Sequence, residues 1–198
     1  AKGHDFRRVS LVAAIDTDGA LFSSDFRAPE RLFSLLMQAA GRAGRDAQWS
    51  SQEGHACEMW VQTFFPQHPL FDALKRHDYP QFAQDQLQER AQAGMPPFSF
   101  QALLRAEART QEAAQAFLTA VAQLAADLPS AHQLTLYPPG PLGIQRVAQI
   151  ERAQLLVEGT SRTALQAFLT AWQPVLRAVR FQHRQVQRWA IDVDPLVI

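Results

Sequence analysis

"QAFLTA" occurs at Gln115–Ala120 and again at Gln166–Ala171, an ungapped offset of 51 residues. A segment repeated at a fixed offset signals a repeated structural unit. The offset extends backward, pairing Glu107 with Glu158, Thr110 with Ser161 and Ala113 with Ala164. Each copy reads as a strand, then a hydroxyl residue able to accept from a free amide of the first helical turn, then an amphipathic helix. Helical spacing predicts a buried stripe of Ala116, Phe117, Ala120 and Leu124 in the first copy. In the second it predicts Leu165, Phe168, Leu169, Trp172 and Leu176.

Each helix is followed by a candidate closing strand, "QLTLYP" (Gln133–Pro138) and "VQRWAIDVD" (Val186–Asp194). Strand, helix, strand twice over predicts an α+β, split-βαβ (ferredoxin-like) sandwich of about 100 residues. Its expected start is "GMPPF" (Gly94–Phe98), where consecutive prolines exclude helix and predict an extended connector. The domains are therefore placed at 1–93 and 94–198.

The front part has the rhythm of an α/β layer. "VSLVAAID" (Val9–Asp16) is a short apolar run that predicts a buried strand of a parallel sheet, leaving at the "TDG" turn. From Pro29, the positions Leu32, Phe33, Leu35, Leu36, Ala39 and Ala40 recur at helical spacing up to Gly41. "EMWVQTF" (Glu58–Phe64) predicts a second strand, and "HPLFDALKRH" and "YPQFAQDQLQERAQAG" two more helices. These are too few strands for a complete doubly wound sheet, and "AKGHDFRRV" enters abruptly, as though inside a domain.

Composition narrows the classes. The chain has 198 residues, is close to half apolar and carries zero formal net charge, so no global field draws in a polyanion and any such site is a local cluster. No apolar run is long enough for a membrane span. The single cysteine excludes an internal disulfide framework, and the expected location is the cytoplasm. Only Lys2 and Lys75 are lysines, leaving seventeen arginines. Arginine suits phosphate recognition through its planar fork, and a GC-rich coding bias accounts for the excess equally well.

"QAAGRAGR" (Gln38–Arg45) closes the first long helix. Arg42 and Arg45 lie three apart and can reach one side together, either to cap the helix end or to neutralise charge on a phosphoryl group. The block Gln-x-x-Gly-Arg-x-Gly-Arg resembles motif VI of superfamily 2 helicases, and "KGHDF" one strand upstream resembles motif V. With "LVAAIDTDGALFSSDFRAPERL", "VQTFFPQHPL", "FAQDQLQERAQAGMPPFS" and "WAIDVDP", nearly the whole chain resembles the C-terminal part of the primosomal replication-restart helicases.

That resemblance implies that residues 1–93 are part of a RecA-like helicase lobe 2, followed by a C-terminal domain similar to a small-subunit ribosomal protein. It implies Arg45 as the arginine finger on a γ-phosphate, Arg42 as its support, and Gln38 and Gly41 within the same motif. Lys2, Gly3, His4 and Asp5, with Gly41, would couple nucleotide to DNA. It also implies ATP, Mg2+ and zinc in the full-length protein, with no zinc held by this chain. Branched or fork DNA, other primosome proteins and the acidic C-terminal tail of single-stranded DNA-binding protein would be partners, and a membrane would not. Two departures stand out: Arg7 where the family has proline, and a longer "DAQWSSQEGHACEM" insert, expected to form a surface loop. The sequence contains no G-x-x-x-x-G-K-[ST] phosphate loop, so the expectation is a piece of a 3′ to 5′ DNA helicase that is inactive as an ATPase alone. The alternative is a stand-alone nucleic-acid or peptide-binding module with a vestigial helicase motif.

Other positions carry weaker signals. His55 and Cys57, with Glu53 and Glu58, do not make a tetrahedral metal site, and none is expected. "DTDG" (Asp16–Gly19) lacks calcium-loop spacing and reads as a turn. "RFQHRQVQRW" places Arg180, His183, Arg184 and Arg188 beside Phe181 and Trp189, a mixture that suits either DNA contact or a solvated hairpin with core aromatics. Ser161, Arg162 and Gln166 open the second repeat helix. Arg162 and Gln166 lie one turn apart there, and they match the region that binds the partner tail in the resembling family.

Overall fold

The computed structural model describes residues 9–23, 25–42, 58–147, 149–196 and 198. Contacts divide the chain into two units, between Glu89 and Arg90.

The first unit contains β1 (Leu11–Ala14), a single turn α1 (Asp18–Leu21), α2 (Ala28–Ala40), β2 (Glu58–Val61), α3 (Pro69–Arg76) and α4 (Tyr79–Ala93), whose last turn continues past the division. β1 and β2 pair in parallel, Leu11 opposite Glu58 and Ala14 opposite Val61. Ala14, Met59 and Val61 pack onto the helices, where Leu32, Phe33 and Leu36 of α2 meet Leu70, Phe71 and Leu74 of α3. Phe82 of α4 stacks on Phe33 with ring centroids 4.3 Å apart. The strand expected over Val9–Asp16 is thus only four residues long, and it alternates between exposed and half-buried positions. Among the described residues, helices cover one face of this two-stranded sheet, and the run of apolar side chains is wetted on the other.

Local chemistry sets the helix ends. Pro29 sits in the first turn of α2, where its missing N–H is no loss. The buried Asp25 carboxylate accepts from the Arg27 amide at 2.9 Å and pairs with Arg31. His68 Nδ1 accepts from the Leu70 amide to start α3, and His77 ends it in the left-handed conformation at φ 56°.

The second unit contains β3 (Phe100–Ala108), α5 (Gln111–Leu124), a 3-10 turn (Ala131–Gln133), β4 (Leu134–Leu136), β5 (Gly140–Val147), β6 (Ile150–Gly159), α6 (Arg162–Gln182) and β7 (Val186–Val193). The sheet order is β4-β6-β3-β7 with every neighbouring pair antiparallel. β5 pairs with the first part of β6, and β4 with its last residues. β5 is absent from the sequence reading, because "PPGPLG" has the composition of a turn.

The repeat is physical. Thr110 and Ser161 each accept from the amide three residues on, both at 3.2 Å. Trp172, fully buried, donates its indole N–H to the Val121 carbonyl at 3.0 Å, joining two positions 51 residues apart. All five apolar positions expected to be buried in α6 are buried. The stripe expected in α5 needs correction. Phe117 is buried, but so are Ala114, Leu118 and Val121, whereas Ala116 is exposed and Leu124 is 54% exposed. The true stripe is the one 51 residues before Leu165, Phe168, Leu169 and Trp172.

"GMPPF" is likewise not an extended connector. The Pro96-Pro97 bond is cis, and the Phe98 amide donates to the Met95 carbonyl at 2.9 Å, closing a turn. Gly159 packs closely, since a Cβ there would stand 2.4 Å from Leu134 Cδ2 and 3.1 Å from the Gln133 carbonyl and would make both shift.

Candidate functional site

α2 delivers Gln38, Gly41 and Arg42 to its C-terminal end. Leu32, Phe33 and Leu36 hold the opposite face of the helix in the core, so Gln38 and Gly41 are exposed and Arg42 is half-buried. The Gly41 amide donates to Met37 and the Arg42 amide to Ala39, which carries the helical path to Arg42. Gly41 has φ −66°, an ordinary helical value open to any residue. Arg45, Lys2, Gly3, His4 and Asp5 lie outside the described residues, as do Glu53, His55, Cys57 and most of the 46–59 insert.

The exits of the two parallel strands are tied together. The buried Thr17 hydroxyl donates to the Gln62 carbonyl at 2.8 Å. The Asp18 carboxylate accepts from the Thr63 hydroxyl and, at 2.9 Å, from the Phe64 amide. "DTDG" thus clamps two strand ends, and among the described residues no group of three His, Cys, Asp or Glu could hold a metal ion.

The basic set of the second unit is divided. Arg188 stands opposite Glu107 on the sheet face away from the helices. Arg180, His183 and Arg184 gather at the α6–β7 corner, where Arg180 donates to the His183 carbonyl at 3.2 Å. The His183 ring lies edge-on to Phe117, centroids 5.8 Å apart. Trp189 packs on the core, but Phe181 is 81% exposed. Sequence reasoning passed over Arg177, one helical turn before Phe181; helical spacing was the signal that could have found it.

Arg162 and Gln166 are both exposed on α6. Arg162 is already engaged, donating to Asp194 Oδ2 at 2.9 Å and lying over the Phe100 ring at 5.0 Å. A further polar cluster was not anticipated. Glu158 Oε1 accepts from Ser99 and Gln101 at 2.8 and 2.9 Å, and Oε2 accepts from the Tyr137 hydroxyl at 2.9 Å. Burial pushes the Glu158 carboxyl up, but the three hydrogen bonds outweigh it and hold the group below the usual carboxylate range. The same carboxylate, through its hydrogen bond first and its charge second, pushes the Tyr137 phenol up. Because Glu158 registers with Gln101 on β3 and Thr135 on β4, the cluster ties three strands together at one end.

These features define a mixed α/β chain with one parallel and one antiparallel sheet, a glycine- and arginine-bearing helix end in the first unit and an arginine-bearing corner in the second. The family described as the primosomal protein N C-terminal domain matches residues 91–196. The chain belongs to the PriA family, corresponding to a C-terminal part of its members. It is 41% identical to the replication restart protein PriA of Haemophilus influenzae over 98% of this chain and 25% of that protein. Against PriA of Synechocystis it is 32% identical over the whole chain and 22% of the relative, and against that of Bacillus subtilis 30% over the whole chain and 23%. The chain therefore spans about a quarter of the length of these relatives. No described helix is long and apolar enough to cross a membrane.

Proposed function

We propose that this chain is the C-terminal part of an ATP-dependent 3′ to 5′ DNA helicase acting in replication restart and primosome assembly in the cytoplasm. Its first unit completes an ATP site as part of a RecA-like lobe 2, and its second, read from its strand order as a split-βαβ domain, engages fork DNA and partners. One observation carries the reading. Among the described residues a Cβ on Gly41 would meet the Met37 carbonyl at 3.5 Å and the Gln38 carbonyl at 3.8 Å, both ordinary contacts, and the backbone there is ordinary too. Nothing in the described fold requires glycine, so the space left beside Gln38 and Arg42 suits the close approach of a ligand to backbone.

In this reading Arg45 stabilises charge on the γ-phosphate, with Arg42 and Gln38 beside it, and Lys2, Gly3, His4 and Asp5 link nucleotide to DNA. ATP supplies the transferred phosphoryl group and Mg2+ neutralises part of its charge. This sequence has no phosphate loop to hold either, and no zinc ligand is assigned to it. The isolated 198-residue chain should show no DNA-stimulated ATP hydrolysis. Arg45→Ala in the full-length protein should lower kcat by roughly 10³- to 10⁵-fold while nucleotide still binds. Hydrolysis by the isolated chain, or full activity of the variant, sinks the reading and leaves a stand-alone nucleic-acid or peptide-binding module.

For the partner tail, Arg162 and Gln166 form the candidate site, and Asp194 already shows that Arg162 accepts a carboxylate. Arg162→Ala should weaken titration by an acidic tail peptide about ten-fold, within the range of a lost charged hydrogen bond. An unchanged titration removes that site.

A further inference from the structure

From Gly159 to Ile191 the chain carries five arginines and no Asp or Glu, in a protein of zero net charge. The fold neutralises one of them, as Arg162 pairs with Asp194. Elsewhere Arg31, Arg105 and Arg152 pair with Asp25, Asp192 and Glu107. Arg177, Arg180, Arg184 and Arg188 differ, for among the described residues none of them forms an ion pair; Arg188 lies within β7, and the other three lie at the end of α6 and just after it. Even Glu112, exposed on the first turn of α5, pairs with none of them.

Phe181 falls in sequence between Arg177 and Arg180 on one side and Arg184 on the other. It follows Arg177 by one helical turn, so the two share the solvent face of α6, and it precedes Arg184 by three residues. Its ring is 81% exposed, whereas Val179 beside it is buried, so the helix fixes Phe181 without using it in the core. The residues immediately after it, Gln182, His183, Arg184 and Gln185, line an open cleft of about 330 Å³. The corner is held in place from within, by the Arg180 hydrogen bond to the His183 carbonyl and by the His183 ring against Phe117.

A wet aromatic ring among unpaired guanidinium groups matches the two needs of an unpaired strand: a surface on which a base stacks, and cations along the phosphates. In a duplex the base faces are already stacked on one another, so the ring would add nothing. We propose that the α6–β7 corner binds single-stranded nucleic acid, with Phe181 as the base-stacking platform and Arg177 and Arg184 as phosphate contacts. This rests on the reading of the second unit as DNA-engaging and names the strand state and the residue that read it.

The test is fluorescence anisotropy of a labelled oligothymidylate and of a labelled forked duplex with the 198-residue chain, at several salt concentrations. Phe181→Ala should weaken oligothymidylate binding about ten-fold with thermal unfolding unchanged, and Phe181→Trp should restore it. Arg184→Ala should reduce the slope of log K against log salt by roughly 0.7. Wild-type binding to either DNA that Phe181→Ala leaves unchanged overturns the proposal and leaves the DNA reading standing. Failure of the wild type to bind either DNA overturns both. Loss of binding to an acidic peptide, with oligothymidylate binding intact, overturns it in favour of a protein partner.

Discussion

Trp172 and Trp60 are the same residue in opposite circumstances, and they summarise the two units. Trp172 is 0% exposed, and its indole reaches across to the Val121 carbonyl; Trp60 is 61% exposed, and its indole binds the neighbouring Glu58 carboxylate at 2.8 Å. In the second unit, two long helices seal one face of a five-stranded antiparallel sheet, and the core runs unbroken from Ala102 to Val186. In the first, two parallel strands are covered on one side, while Leu11, Ile15 and Trp60 remain in water among the described residues. Parallel strands are ordinarily covered on both faces, so the exposed side has the composition of an interior without its partner. The second unit closes its own core, and the first presents a surface made to be covered.

The sharpest way to break this contrast is to truncate both tryptophans. Trp172→Ala should cost about 3–5 kcal/mol in urea unfolding followed by circular dichroism, because it opens a cavity and strands the Val121 carbonyl. Trp60→Ala should change stability by less than about 0.5 kcal/mol. Comparable costs would mean that the Trp60 face is covered in solution. A dependence of the Trp60→Ala effect on protein concentration would then identify a second copy of the chain as the cover.

What was legible in the sequence follows the same division. The 51-residue offset located both caps and both helices of the second unit, because a repeated pattern samples the same packing twice. Each copy constrains the other's phase, and applying that constraint to α5 would have replaced Ala116 and Leu124 with Ala114, Leu118 and Val121. Small alanines on both faces of α5 hid the phase, while Phe168, Trp172 and Leu176 made it plain in α6. Two features had no local signal. β5 pairs with β6 despite its Pro- and Gly-rich start, and the irregular register between Glu107 and Ala108 puts Arg188 on the sheet face opposite to the buried Val186. Of the helicase-like site, α2 could be read from its stripe, although Leu35, read as part of that stripe, is 63% exposed and only Leu32, Phe33 and Leu36 of it are buried. The exposure of Gln38 and Gly41 followed from which face is apolar, but the conformation of Gly41 is a property of the folded helix end alone.

An effect smaller than that of Trp172→Ala is also the most specific to the second unit. The folded Glu158 carboxyl lies below its ordinary value, so the stabilisation it gives is present in full above about pH 4.3 and is lost as pH falls through the folded value. The Tyr137 phenol is raised, so its contribution is present below about pH 10 and is lost as pH rises through the folded value. Tyr137→Phe removes one of three donors to a half-buried carboxylate and leaves the burial penalty in place. The Glu158 carboxyl should therefore titrate higher in the variant, read by NMR, with about 1 kcal/mol of stability lost at neutral pH. The loss should shrink as the pH falls and Glu158 becomes neutral in both proteins. A loss that stays constant through the acid range would mean that Tyr137 acts through ring packing, and that the three strands are tied by something other than this carboxylate.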